Sequence, residues 1–194
     1  MAGGKSRRLG RDKLVESFQG RPLIIHVLDR LRHICDELVV VVAEQRDAVA
    51  LPLPKDVTVA SDLFPGKGSL GGIYSGLTKA SSPWALVVAG DMPFLNQELI
   101  SHMLGIVPGH DVVVPLLGGR PEPTHAIYSK QFLGPIHDSL DQNQLKITGF
   151  FDKVRVREVD ETQILLLDPN LLSFFNVNTQ DDLDRAIALA KDRH

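Results

Sequence analysis

Residues 2–13 read AGGKSRRLGRDK, which places three glycines and five cations within twelve positions. Glycines let backbone N–H groups approach phosphate oxygens without a side-chain clash. Arginine adds planar, multi-donor contacts, and lysine adds a compact positive charge. The combination predicts a phosphate-binding loop, since a frayed basic terminus does not require Gly3, Gly4 and Gly10 together.

Charge is distributed unevenly along the chain. Residues 1–13 carry a net charge of +4 and the remaining residues carry −7, for a total of −3. A concentrated positive patch on an otherwise acidic protein indicates a local anionic ligand. A nucleic-acid binder usually spreads positive charge over a face or a helix, and the sequence has no second basic patch. We therefore expect no nucleic-acid partner.

Length and composition favour one domain over residues 1–194, with 43% hydrophobic residues available for a core. No apolar run is long enough for a membrane span, and no signal-peptide segment follows the start. Cys35 is the only cysteine, so it can form neither an internal disulfide nor a cysteine-based metal site. These features predict a cytoplasmic protein with no membrane partner. Because Cys35 follows the apolar face of a predicted helix, its thiol is expected to lie in the core or to be half-buried.

Hydrophobic periodicity predicts an alternation of strands and helices. The predicted strands cover 38–43, 57–60, 84–89, 111–115 and 124–128. The predicted helices cover 22–34, 70–80, 95–107, 131–140 and 144–151, followed by a last helix capped by Thr179. Such an alternation predicts a three-layer α/β fold, in which a mainly parallel sheet carries helices on both faces.

The position of the glycine loop is unusual for this class of fold. A doubly wound, Rossmann-like sheet places its glycine loop directly after its first strand. Here Met1 already lies at the edge of that loop. We therefore expect either a start codon that is assigned too late or a sheet that lacks its first strand.

Two carboxylates follow predicted strands. Asp91 lies at the carboxyl end of 84–89, where side chains face the ligand crevice of an open sheet. One or two carboxylates suffice to hold Mg²⁺ together with substrate phosphates. An Asp shortly before Pro93 is also a common turn residue, and spacing alone leaves both interpretations open. Asp62 follows 57–60 and either accepts hydrogen bonds from a nucleoside or forms a turn.

Asn176 and Asn178 stand at alternate positions and face the same side of an extended segment. They either bind a substrate through hydrogen bonds or satisfy the neighbouring turn and helix cap. Gly4-Lys5-Ser6 also ends like a Walker A loop, but that motif needs another glycine five positions before Gly4. A P-loop NTPase is therefore disfavoured.

Several other chemistries have no support in the sequence. The histidines lack the spacing of a zinc site, and no Gly-x-Ser-x-Gly nucleophile elbow occurs. His125 lies in a predicted strand, where a lone histidine is usually structural. The polar loop before it leaves open that His125 reaches the crevice.

Taken in order, these motifs resemble the molybdenum cofactor guanylyltransferases, which attach GMP to molybdopterin. That family opens with Leu-Ala-Gly-Gly-x-Ser/Ala-x-Arg-Met/Leu-Gly-x-Asp-Lys, and this sequence matches it from Ala2 to Lys13, with Met1 in place of Leu. The resemblance continues at Asp62 and at segments 68–73, 90–93, 122–128 and 176–179. It departs at Ser69, where the family usually has Pro.

The resemblance implies a role for each candidate residue. The nucleotide would be contacted by Met1, Ala2, Gly3, Gly4, Lys13, Asp62 and Asp91, with Asp62 on the guanine nucleoside. Lys13 and Arg8 would offset charge on the leaving pyrophosphate, and Asp91 would carry Mg²⁺. Asn176 and Asn178 would face molybdopterin.

The reaction that the resemblance implies is transfer of GMP from GTP to molybdopterin, with release of pyrophosphate. Molybdoenzymes or cofactor carriers would be transient partners. One alternative is a related nucleotidyltransferase, such as a molybdopterin cytidylyltransferase, although those enzymes typically have Ala where Gly3 stands here. A second alternative is a nucleotide-binding protein without turnover.

Overall fold

The structure is a computed structural model that describes residues 1–2, 13–44 and 50–191. The strands are β1 (Ser17–Phe18), β2 (Arg21–Pro22), β3 (Val39–Val42), β4 (Thr58–Ser61), β5 (Trp84–Val88), β6 (Val112–Leu117), β7 (Arg120–Pro121), β8 (His125–Ser129) and β9 (Val156–Val159). The helices are α1 (Leu23–Arg32), α2 (Gly68–Lys79), α3 (Gln97–Gly105), α4 (Leu133–Asp141), α5 (Glu161–Leu167) and α6 (Gln180–Lys191). Short 3₁₀ turns cover Lys13–Val15, Lys130–Phe132, Ile147–Lys153 and Leu172–Phe174.

Most predicted elements are present with shifted ends. The segment predicted as a helix at 144–151 is the 3₁₀ turn Ile147–Lys153. Pro22 was expected in the first turn of α1, but it lies one position earlier, as the N-cap and the end of β2. The cap predicted at Thr179 is confirmed, because its hydroxyl accepts from the Asp182 N–H and the Asp182 carboxylate accepts from the Thr179 N–H.

The strands form an antiparallel pair of β1 and β2, a parallel pair and a larger mixed sheet. β3 pairs with β4 in parallel. β8 lies between β5 and β6 and runs antiparallel to both, and β9 pairs with β6 in parallel. The α/β class is therefore confirmed, but the larger sheet is mixed where a mainly parallel one was expected.

A tight turn explains the reversal at β8. Gly118 and Gly119 have φ of 54° and 74°, and they join β6 to the short β7 as an antiparallel hairpin. Two adjacent positive φ values match a two-residue hairpin turn that glycine adopts without strain. The chain then returns alongside β6 as β8, without the crossover helix that a parallel strand would need.

Helices cover both faces of the sheets. On one face, α2 and α4 pack through Leu70, Ile73, Leu77, Ile136 and Leu140 onto Val87, Val112 and Tyr128. On the other face, α1 packs onto β3, while α3 and α5 pack onto Val113, Ile127 and Val159. This arrangement confirms the three layers.

Two elements in the carboxyl-terminal part of the chain, β9 and α5, were not predicted from the sequence. Strand β9 has the burial pattern of an edge, with Arg157 and Glu158 exposed, so it carries no continuous apolar run. Helix α5 spans only seven residues, and its capping box, formed by Asp160 and Gln163, is its one clear sequence signal.

Met1 and Ala2 lie between β3 and β5. The Met1 ammonium donates to the Val88 carbonyl at 2.7 Å, and the Met1 carbonyl accepts from the Gly90 N–H at 2.9 Å. The Ala2 N–H donates to the Val41 carbonyl at 2.8 Å. These two residues therefore hydrogen-bond to both strands, in the position expected for the end of a first strand. Among the described residues, no helix is long and apolar enough to cross a membrane.

Candidate active site

The candidate site lies where β3, β4 and β5 end. Asp62 directly follows β4, and Asp91 follows β5 after two residues. The carboxyl ends of parallel strands meet at one edge, which is the usual position of a ligand crevice in an α/β sheet. The placement of Met1 and Ala2 brings residues 1–2 to the same edge.

Lys13 forms the centre of the polar contacts at this edge. Its ammonium is ion-paired with the Asp91 carboxylate and donates to the Asn178 Oδ1 at 2.8 Å. Lys13 begins the 3₁₀ turn that follows the glycine loop, while Asn178 lies two positions before the first residue of α6. Three distant segments of the chain are thereby joined by one cation.

The Asp91 carboxylate has the chemistry of a cation ligand. Oδ2 contacts Lys13, whereas the buried Oδ1 has no hydrogen-bond partner among the described residues. An unsatisfied buried carboxylate oxygen is costly unless a ligand completes it. No cluster of three or more His, Cys, Asp or Glu suited to a metal occurs within 1–2, 13–44 and 50–191. A single carboxylate that relies on substrate phosphates for further ligands fits Mg²⁺.

Asp62 is held in a fixed orientation by its neighbours. Its Oδ1 accepts from the Phe64 N–H and from the Ser75 hydroxyl, both at 3.0 Å. Oδ1 therefore forms the turn that was one of the two predicted roles of Asp62. Asp62 also borders a small cavity together with Gly72. A Cβ on Gly71 would come within 3.1 Å of Oδ1, so this helical position must remain bare for the loop to close.

The segment carrying the two asparagines is anchored to the strand end. The Val177 N–H donates to the Asp91 carbonyl at 3.0 Å, and the Asn176 amide donates to the Phe174 carbonyl at 3.1 Å. Asn176 borders the same cavity as Lys13 and Asp91. The structure therefore brings both asparagines to the site, and each also makes a contact within the protein.

Three cavities meet at Ser69, in the first turn of α2. A cavity of about 230 Å³ contains the Lys13–Asp91 pair and is also bordered by Asn176 and Thr124. A cavity of about 30 Å³ reaches Asp62. A groove of about 520 Å³ opens on the other side of Ser69. Ser69 therefore borders three separate branches of the site around the beginning of α2.

The 520 Å³ groove was not anticipated from the sequence. Two exposed cations border it, Arg120 from β7 and Lys146 from the loop after α4, together with Pro123 and Thr148. Arg120 follows the Gly118-Gly119 pair, which is a recognisable hairpin signal. That signal would have shown that Arg120 is the first residue after the hairpin turn, at the beginning of the polar segment 120–124.

Some expected residues lie outside the described part of the chain. These are Gly3, Gly4 and Arg8, with the other loop cations Lys5, Arg7 and Arg11. His125, in contrast, is described: it is fully buried in β8, and burial lowers its pKa to about 4, against the opposing charge of Asp168. The structural interpretation of His125 is therefore correct. Cys35 is half-buried as expected, and burial raises the pKa of its thiol.

Comparison with known proteins places the chain in a family. The family model described as a MobA-like NTP transferase domain matches residues 1–154. The chain belongs to the MobA-like NTP transferases. A relative from Desulfosudis oleivorans, named molybdenum cofactor guanylyltransferase, is 37% identical over 98% of this chain and 94% of its own length. A MobA-like relative from Methanosarcina mazei, named a probable molybdenum cofactor guanylyltransferase, is 31% identical over 100% of this chain and 90% of its own length.

Solved structures show the same MobA-like architecture. A molybdopterin-guanine dinucleotide biosynthesis protein A from Archaeoglobus fulgidus superposes with a TM-score of 0.85 at 30% identity, covering 98% of this chain and 96% of that one. A manganese complex of a Mycobacterium tuberculosis protein shares the fold, with a TM-score of 0.65 at 17% identity over 93% of this chain and 94% of that one. The chain is a nucleotidyltransferase of the MobA-like fold.

Proposed function

We propose that this nucleotidyltransferase transfers GMP from GTP to molybdopterin and releases pyrophosphate, forming molybdopterin guanine dinucleotide. The observation that carries the proposal is the Lys13–Asp91 pair at the end of β5, with one buried carboxylate oxygen left without a partner. The names of the relatives that the chain matches over nearly its whole length support the same reaction. We further propose that residues 1–194 act as one nucleotidyltransferase domain.

The reaction needs positioning and charge neutralisation more than a protein nucleophile. An anionic phosphate oxygen of the acceptor forms a bond to the α-phosphorus of GTP. The bond from that phosphorus to the bridging oxygen of the β-phosphate breaks, and pyrophosphate leaves with the electron pair. We assign the offsetting of the charge on the leaving group to Lys13, together with the loop residue Arg8.

The metal assignment rests on Asp91. Its unpartnered Oδ1 and its burial fit a Mg²⁺ ion that shares ligands with nucleotide phosphates. When bound, such an ion supplies Lewis-acid stabilisation of the phosphoryl oxygens. The ion pair with Lys13 fixes Asp91 in place before substrate arrives.

We place the nucleotide along the carboxyl ends of the strands. Backbone N–H groups at Gly3 and Gly4 would approach the phosphates, because glycine has no side chain to obstruct them. Met1 and Ala2, whose nitrogens donate to the Val88 and Val41 carbonyls, would border the nucleotide without donating to it from those groups. Asp62, oriented by Phe64 and Ser75, would accept hydrogen bonds from the nucleoside in the small cavity.

We place the acceptor on the other side of Ser69. Asn176 borders the cavity of the Lys13–Asp91 pair and Asn178 accepts from Lys13, which supports a place for both beside the reacting phosphates. The groove with Arg120 and Lys146 would receive the rest of the phosphorylated acceptor, because its two cations suit an anionic ligand. Molybdoenzymes or cofactor carriers would take the product by transient contact.

Nucleotide selectivity tests the guanine assignment. Thermal unfolding is measured with Mg²⁺ and either GTP or CTP, since a ligand that binds the folded state raises Tm. We expect GTP to give the larger shift; an equal or larger shift with CTP would instead support a cytidylyltransferase. Pyrophosphate release, assayed with molybdopterin and GTP, then separates an enzyme from a nucleotide-binding protein without turnover.

A further inference from the structure

A buried polar cluster lies next to the asparagine segment, residues 176–178. The cluster consists of His125 at the start of β8, Asp168 directly after α5, and Ser173 in the last 3₁₀ turn. The three residues have exposed fractions of 0%, 2% and 0%. None of them borders the cavity of about 230 Å³ that contains the proposed reacting groups. Their effect on the site must therefore pass through other residues.

Ser173 is tied to two distant parts of the chain. Its N–H donates to the Asp168 Oδ2 at 2.7 Å, and its hydroxyl accepts from the Asn96 N–H at 2.8 Å. Asn96 is the N-cap of α3, and its side-chain amide donates to the Leu167 carbonyl at 2.8 Å. The 3₁₀ turn is thereby joined to the start of α3 and to the end of α5.

The Asp168 carboxylate is poorly explained by stability alone. Burial lowers the pKa of His125 to about 4, against the charge of Asp168 and a contact with the Ser173 backbone. The imidazole is therefore neutral at neutral pH and does not balance the carboxylate. A buried charge without an opposite charge beside it is costly. What the carboxylate does is hold the Ser173 N–H, and hydrogen bonds to a carboxylate are short and strong.

Phe174 connects this cluster to the asparagine segment. Its ring packs on the His125 ring, with centroids 4.7 Å apart and the planes tilted by 43°. The Phe174 carbonyl accepts from the Asn176 side-chain amide at 3.1 Å. The next residue, Val177, donates its N–H to the Asp91 carbonyl at 3.0 Å. A continuous series of contacts thus runs from the buried cluster to the edge of the cavity.

We propose that Asp168 is a positioning residue, which acts through Ser173 and Phe174 to hold the asparagine segment in place for the acceptor substrate. The inference rests on the proposed function, because it takes the acceptor to lie beside Asn176. Without the carboxylate, the 3₁₀ turn loses one of its two anchors and the Asn176 amide loses its fixed partner. A displacement of about 1 Å caused by a distant change can lower a rate by about 10²-fold.

Three variants of the cluster and one control test the proposal. Asp168→Ala removes the acceptor of the Ser173 N–H, whereas Asp168→Asn keeps an oxygen that can accept from it. Ser173→Ala removes the acceptor of the Asn96 N–H and leaves the bond to Asp168 possible. The control is Ser139→Ala, because Ser139 is a buried serine of α4 whose hydroxyl donates to the Pro135 carbonyl at 2.9 Å, outside the cluster.

Kinetics of pyrophosphate release separate positioning from a general loss of stability. We expect Asp168→Ala to raise KM for molybdopterin by about three- to tenfold, and by more than KM for GTP. Asp168→Asn should recover most of this loss, and Ser139→Ala should lower Tm without changing either KM. In an Asn176→Ala background, Asp168→Ala should have a smaller effect than in the original chain, because the two residues act on one contact. An unchanged KM in Asp168→Ala, or fully multiplicative effects in the double variant, would overturn the proposal.

Amide hydrogen exchange tests the positioning without any substrate. We expect the Val177 amide to exchange about tenfold faster in Asp168→Ala, relative to the amides of the β6–β9 pair, and at its original relative rate in Ser139→Ala. Ser173→Ala, the milder change, gives the same measurement where Asp168→Ala does not fold. Unchanged relative exchange at Val177 in the cluster variants would contradict the proposal. If the original chain releases no pyrophosphate, the proposed function fails, while the exchange result still decides whether Asp168 positions the segment.

Discussion

Lys13 and Asp91 are ion-paired although 78 positions separate them in the sequence. The pair ties the end of the glycine loop to the end of β5, and Asn178 supplies a second acceptor for the same ammonium. Lys13 is therefore held by two segments that converge on one cavity. Substitution of Asp91, one partner in this ion pair, tests the proposed role of the pair in catalysis.

Replacing Asp91 with Asn keeps the shape of the side chain but removes its charge. We expect Asp91→Asn to lower kcat/KM by about 10²-fold or more, because a cation ligand and the partner of Lys13 are lost together. Steady-state pyrophosphate release measures the effect. The matched control is Asp56→Asn, which removes an exposed carboxylate paired with Arg32 and should retain activity. Full activity in Asp91→Asn would contradict the metal assignment.

Gly71→Ala tests the closure of the Asp62 loop. The added Cβ would lie 2.9 Å from the Phe64 carbonyl and 3.1 Å from the Asp62 Oδ1, so the loop must move. We expect a several-fold rise in KM for GTP and a lower Tm. Gly105→Ala in α3 is the control, because nothing lies within 4 Å of its Cβ and Ala favours a helix. Equal effects of the two substitutions would argue against a nucleoside role for this loop.

Arg120→Ala and Lys146→Ala test the groove beside Ser69. We expect each change to raise KM for molybdopterin by about three- to tenfold, because a charge-assisted contact is lost. KM for GTP should stay close to its original value, since neither residue borders the Lys13–Asp91 cavity. Lys55→Ala removes an exposed cation elsewhere and serves as the control. A rise in KM for GTP alone would reassign the groove to the nucleotide.

The Met1 ammonium makes stability depend on pH. Burial lowers its pKa from 8.0 to about 6, while the Asp91 charge opposes this shift. Between pH 6 and 8 the unfolded chain binds the extra proton, so the free energy of unfolding should rise by about 2 to 3 kcal/mol over this range. Urea unfolding at both pH values, with Met1 verified by mass spectrometry, measures the rise. An Nα-acetylated form lacks this titratable amine and should show a flatter profile.

The buried His125 makes stability depend on pH over a lower range than the Met1 ammonium does. Its pKa is lowered from 6.5 to about 4 by burial, so the folded protein resists protonation that the unfolded chain accepts. Stability from this group is complete above pH 6.5 and is lost as the pH falls towards 4. We expect His125→Met to flatten the dependence of Tm on pH in this range. Parallel profiles for His125→Met and the original chain would exclude His125 as the source.

Much of the fold was predictable because its signals are local. The apolar run of β3, the periodicity of α1 and the cap at Thr179 each lie in a few adjacent residues. The reversal at β8 was not predicted, since it depends on which strands pair rather than on their composition. Strand β9 was missed for the same reason: pairing with β6 makes it a strand, and its exposed Arg157 and Glu158 hide the pattern.

The candidate site was predictable as a set of residues but not as a set of contacts. Asp62, Asp91, Asn176 and Asn178 were identified by their places after strands or by the family motifs. Spacing could not show that Asn178 binds Lys13 or that Ser75 orients Asp62, because those pairs are set by tertiary packing. The groove with Arg120 and Lys146 likewise exists only where two distant loops meet.

Ser69 borders all three branches of the site. In the proposed reaction, this one residue would therefore border the space of both substrates. A larger side chain at this position would narrow the nucleotide and acceptor branches together, changing both Michaelis constants in a single step. Selectivity for one substrate cannot be retuned at Ser69 without a cost to the other, so changes in specificity should arise at the outer ends of the branches.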